Sequence, residues 1–111
     1  MKGLYCTFRQ PQGRGEVESA KTICQLGQEI FFGSQAKGDS STSVRLHIGC
    51  PEGGKAVGIW HSHPGPGGVA EPSPQDISEM LRAEQSKGMK YMCISSDLEI
   101  SCYEVRNSKR V

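Results

Sequence analysis

The chain has 111 residues, of which 35% are hydrophobic and 23% charged, and its formal net charge is +1. This length fits a single domain over residues 1–111 with one compact core. The balanced charge excludes the basic stripe of a nucleic-acid-binding surface, and no stretch approaches the ~18 apolar residues of a membrane-spanning helix. The opening Met1-Lys2-Gly3-Leu4-Tyr5 lacks the apolar centre of a secretion signal, so a soluble, cytoplasmic protein is expected.

In chain order, residues 4–8 alternate weakly and predict a first strand, and residues 10–15 form a loop rich in Gly and Pro. Residues 17–25 and 29–32 read as two strands joined by a turn at Leu26-Gly27-Gln28. A helix over residues 18–26 is the alternative, because short segments fit both periods. Residues 37–43 are polar and predict a loop. Residues 44–48 alternate and predict a strand, followed by a turn at Cys50-Pro51-Glu52-Gly53-Gly54. Residues 56–60 form a short apolar run, a buried strand leading into His61-Ser62-His63-Pro64.

The segment 65–72 is too rich in Gly and Pro for a helix or a central strand. The best helix signal follows it. Ser73 is a cap, Pro74 suits the first helical position, Asp76 is the third, Ile77, Met80 and Leu81 recur at helical spacing, and Gly88 is the stop. Residues 89–95 and 98–105 predict a closing hairpin around Ser96-Asp97. The basic run over residues 106–110 reads as a solvated tail. The expected class is therefore α/β of the α+β type, with a mixed, curved sheet and few helices.

The five cysteines, Cys6, Cys24, Cys50, Cys93 and Cys102, are odd in number and include no C-x-x-C pair. Neither a disulfide framework nor a four-cysteine zinc site is expected. Buried thiols acting as small hydrophobes are.

The chemistry concentrates in one stretch. Side chains alternate along a strand, so His61 and His63 face the same way and can present two imidazoles to one ion. Asp76, in the first turn of the helix, can reach the same point. Two imidazoles and a carboxylate make a three-ligand set of the catalytic zinc type, with the fourth position left for water. Ser73 is placed to donate a hydrogen bond to a developing oxyanion. Each part has a plainer use: an H-x-H pair is often structural, and Ser73-x-x-Asp76 alone is a capping box. Their ordered combination is more specific than any part. A zinc deaminase would need a P-C-x-x-C partner motif, which is absent. Trp60 is read as core packing, with a substrate platform as the alternative, and His47 as structural.

His61-Ser62-His63-Pro64 followed by Ser73-Pro74-Gln75-Asp76 resembles the JAMM motif of the JAB/MPN-plus zinc metallopeptidases, H-[ST]-H-P and then S-x-x-D. Val57-Gly58-Ile59-Trp60 fits the apolar-Gly-apolar run that precedes the histidines in that family, and the terminal hairpin resembles its closing strands. The resemblance implies a JAB/MPN-like, cytidine-deaminase-like fold and a zinc-dependent peptidase or isopeptidase. It implies His61, His63 and Asp76 as zinc ligands and Ser73 as the oxyanion-stabilising hydroxyl. The substrate it implies is the tail of a ubiquitin-like or sulfur-carrier protein, and a non-catalytic MPN-type scaffold is the alternative. The family also uses an upstream glutamate as general base. Glu18 is the first candidate, Glu16 shares its strand face, and Glu29 begins the next strand. Twelve residues lie between His63 and Asp76, two more than is common in the family, and the N-terminal helix usual there is not evident.

Overall fold

The computed structural model describes residues 5–9, 18–38, 43–63, 72–96, 99–105 and 109–110. The expected loop at 10–15 lies outside these residues, as do Glu16 and all but Pro72 of the expected loop at 65–72. The described elements run β1 (Tyr5–Arg9), β2 (Ser19–Leu26), β3 (Glu29–Lys37), β4 (Ser43–His47), β5 (Lys55–Ser62), α1 (Pro74–Lys87), β6 (Tyr91–Ser95), β7 (Ile100–Glu104) and β8 (Lys109–Arg110). Six strands form one mixed sheet in the order β3-β2-β5-β6-β7-β8, and β1 pairs with β4 in a second, two-stranded sheet. The α+β expectation holds.

Residues 19–26 form a strand and not a helix. Ala20, Thr22 and Cys24 are buried while the residues between them are not, a period of two that only a pleated strand satisfies. Gly27, at φ 62°, takes the left-handed turn into β3. β3 runs on to Lys37 because it pairs with β2 along its length, from Leu26↔Glu29 to Ser19↔Lys37.

The β5–β6 pair is parallel, and α1 lies in the connection between them, as a parallel pair requires. Ser73 caps the helix in a complete capping box, Pro74 follows the cap, and Gly88 ends the helix at φ 69°. Asp76, Met80 and Ala83 face inward, whereas Ile77 and Leu81, also at helical spacing, are exposed. Met80 and Ala83 join Ile59, Met92 and Ile94 from the large sheet, Cys6, Val44 and Leu46 from the small one, and Met89 and Ile48 from just outside the strands in a single core. The small sheet is tied to the helix by the Thr7 amide, which donates to the Glu79 carboxylate at 3.0 Å.

Two expectations are corrected. The cysteines are not all thiols. Cys24 pairs with Cys50 and Cys93 with Cys102. Cys93 and Cys102 stand directly opposite each other in the β6–β7 register, a proximity that sequence spacing does not reveal. Cys6 remains a buried thiol, its pKa pushed up to about 12 chiefly by burial and secondarily by the Glu79 carboxylate. The basic run is also not wholly a free tail: the backbone of Lys109–Arg110 pairs with Tyr103 and Glu104, since backbone pairing needs no apolar side chain. β6 and β7 pair antiparallel as the expected closing hairpin, and the Ser96 amide donates to the Glu99 carbonyl at 2.8 Å. No helix among the described residues is long and apolar enough to cross a membrane.

Gly58 marks the tightest strand contact on the way to the histidines. A Cβ there would sit 2.7 Å from the Tyr91 carbonyl oxygen. Gly58→Ala is therefore expected to push β6 away from β5 and to cost about 1–3 kcal/mol in urea unfolding; wild-type stability in that variant would contradict the contact. For the cysteines, mass spectrometry after alkylation of the denatured, unreduced protein should find one modified thiol, Cys6, and five after reduction. Losing Cys24–Cys50, which are 26 residues apart, should cost roughly 3 kcal/mol, and losing the closer Cys93–Cys102 pair less.

Candidate functional site

β5 carries Ile59 and His61 to the core face and Trp60 and Ser62 to the other. His63 follows the strand and extends the ladder, its amide donating to the Ser95 carbonyl at 2.7 Å. Both histidines are buried, and their rings lie 5.0 Å apart between centroids. Asp76 enters from the first turn of α1. Its Oδ2 lies 3.0 Å from His61 Nε2 and 3.2 Å from His63 Nε2.

The capping and metal-site readings of Asp76 turn out to share one atom. The same Oδ2 accepts from the Ser73 amide at 3.1 Å, while the Ser73 hydroxyl oxygen accepts from the Asp76 amide at 3.1 Å. The helix cap thus aims the carboxylate at the histidines. A hydroxyl that accepts from the cap still has its own hydrogen to give, which suits Ser73 to an oxyanion role.

Glu18 is buried and stands immediately before β2. One ligating atom from each of Glu18, His61 and His63 lies within 4.8 Å of the others. Ala20 pairs with His61 across the β2–β5 ladder, which places the start of β2 beside the histidines. Glu29 begins β3 opposite Leu26, at the far end of that hairpin, and is exposed. Among the described glutamates named from the sequence, Glu18 alone reaches the cluster.

Four buried ionisable groups converging without a cation would be costly, since a buried charge needs a partner. Two imidazole nitrogens turned onto one carboxylate oxygen, with a second carboxylate close by, are a mixed N/O donor set that a divalent cation fits. Burial lowers the pKa of His61, and Asp76 only partly opposes that effect. His61 is therefore neutral at pH 7, the form that ligates metal.

Trp60 is half-buried on the opposite sheet face, so it is no platform over the cluster. Its Nε1 donates to the Ser95 hydroxyl at 2.7 Å, and the Lys21 ammonium lies over its ring at 5.3 Å and over that of Phe32 at 4.8 Å. His47 is exposed on β4, in the small sheet. One residue of consequence escaped the sequence reading: Ser62, whose hydroxyl accepts from the Ser19 amide at 2.9 Å. Its sequence signal is the Ser/Thr position of the H-[ST]-H-P motif between the histidines, which by itself gives it no role.

The lowered His61 pKa fixes a sign. The folded metal-free protein binds fewer protons than the unfolded chain just below the usual histidine value of 6.5. Its contribution to stability is complete above that value and is lost as pH falls through the folded value. The melting temperature of the metal-free protein should therefore drop between pH 7.5 and 5.5, and His61→Gln should make the slope shallower.

No curated protein and no solved structure matches the chain. The family described as prokaryotic homologs of the JAB domain matches residues 11–106, a span that takes in Glu18, the histidine strand and the whole of α1. With that match over most of its length, the chain belongs to the prokaryotic JAB-domain family.

Proposed function

We propose that this JAB domain is a zinc-dependent peptidase or isopeptidase acting on the C-terminal tail of a ubiquitin-like or sulfur-carrier protein. The JAB family allows a peptidase or a non-catalytic scaffold. The observation that favours catalysis is the buried convergence of Glu18, His61, His63 and Asp76 beside the Ser73 hydroxyl. A scaffold gains nothing from burying four ionisable groups at one point, whereas a hydrolase uses each.

In this reading His61, His63 and Asp76 hold the zinc. When bound, zinc lowers the pKa of water and polarises the scissile carbonyl. Glu18 takes a proton from the attacking water as its oxygen bonds to the carbonyl carbon. It then delivers that proton to the nitrogen of the departing amine as the C–N bond breaks. Ser73 donates its hydroxyl hydrogen to the carbonyl oxygen as negative charge develops there. Burial keeps bulk water from weakening these interactions. An extended tail suits the site, because the reacting groups are buried at the end of β5 and the head of α1.

The purified chain should bind one zinc per molecule, and His61→Ala should abolish that binding. Glu18→Gln at saturating zinc should lower cleavage of a ubiquitin-like tail fusion by 10²-fold or more, the usual scale for a general base. Cleavage unchanged in Glu18→Gln would exclude Glu18 as the base. Stoichiometric zinc with no cleavage of any ubiquitin-like or sulfur-carrier tail would favour the scaffold.

A further inference from the structure

We propose that Ser62, between the two histidines, is a positioning residue that holds Glu18 at the metal centre; this rests on the metal-centre reading above. The β2–β5 ladder ends at the pair Ala20↔His61. One step further the backbone groups no longer pair, and the Ser62 hydroxyl takes their place. It accepts from the Ser19 amide at 2.9 Å and lies 3.3 Å from the Ser19 hydroxyl. The Ser19 amide belongs to the peptide that begins at Glu18, so this bond fixes the backbone next to the glutamate.

Glu18 lies outside β2, so strand pairing alone does not place it. On the β3 side its carbonyl accepts from the Gly38 amide at 2.7 Å. On the β5 side the tie is Ser62. The two bonds grip the same peptide unit from both flanks, and the side chain of Glu18 is left to point to the buried face with His61 and His63. Alternation explains why the tie comes from this residue. With His61 and His63 turned to the core face, the residue between them faces away from the centre, and its short hydroxyl reaches sideways to the neighbouring strand. Alanine would lack the acceptor. Threonine keeps it.

Groups that orient the inner residues of a metal site commonly change metal affinity or activity by 10–100-fold. The test is zinc affinity of the 111-residue chain, measured by competition with a chromophoric chelator, in wild type, Ser62→Ala, Ser62→Thr, Glu18→Gln and the Ser62→Ala/Glu18→Gln double variant. Ser62→Ala is expected to weaken zinc binding by about tenfold, and Ser62→Thr to restore it. Glu18 acts on zinc affinity here not as a ligand but through its negative charge beside the cation. In the Glu18→Gln background, Ser62→Ala should therefore add little further loss, because both changes take the same charge from its place. If Ser62→Ala does not fold, Ser62→Val, which matches threonine in shape without the hydroxyl, takes its place against Ser62→Thr. Normal zinc affinity in Ser62→Ala, or a full tenfold loss on top of Glu18→Gln, overturns the assignment and leaves the metal centre standing. A wild-type chain that binds no zinc overturns the metal centre, and the Ser62 assignment falls with it.

Discussion

One carboxylate oxygen links the helix to the sheet. Asp76 Oδ2 accepts from the Ser73 amide at the helix start and faces both histidine rings. The cap that stabilises α1, a feature worth about 1 kcal/mol in an ordinary helix, is also the device that orients the acidic group of the site. Strand β5 and helix α1 are thereby locked at one point, although 12 residues separate His63 from Asp76. The length of that connection matters less than its two anchored ends, because loop closure grows only slowly in cost with length.

The sheet order explains how Glu18 arrives. β2 and β6 flank β5, the one antiparallel to it and the other parallel. The antiparallel partner brings the start of β2 to the end of β5, beside His61. The parallel partner requires a crossover, and that crossover supplies Ser73 and Asp76. A central strand with one neighbour of each kind thus gathers a glutamate from upstream and an aspartate from downstream at one strand end. Gly58 belongs to the same logic, since the close approach of Tyr91 leaves no room for a side chain there.

The opposite sheet face has a different character. Phe32 and Ile30 are exposed, Trp60 is half-buried, and Lys21 covers both Phe32 and Trp60. The Cys93–Cys102 pair joins the two strands beyond β5. Disulfides persist in oxidising surroundings and are kept reduced in cytosol, so the redox state of these pairs reports the compartment in which the chain works.

Local patterns determined much by themselves. The hairpin at Gly27, the strand into His61, the helix from Pro74 to Gly88 and the shared facing of His61 and His63 all follow from periods of two and 3.6 and from Gly and Pro chemistry, which act within a few residues. Ser73 and Asp76 were legible for the same reason, because a capping box is a local motif. Between Glu18 and Glu29, tertiary structure alone decided which joins the histidines, since Glu18 precedes the strand that pairs with β5 and meets its histidine end, whereas Glu29 opens β3, which does not pair with β5. It also decided that Cys93 faces Cys102, that Lys109–Arg110 closes the sheet edge, and that the Ser62 hydroxyl meets the Ser19 amide. Those are matters of register between strands far apart in the chain, and register is set by how whole faces bury against one another.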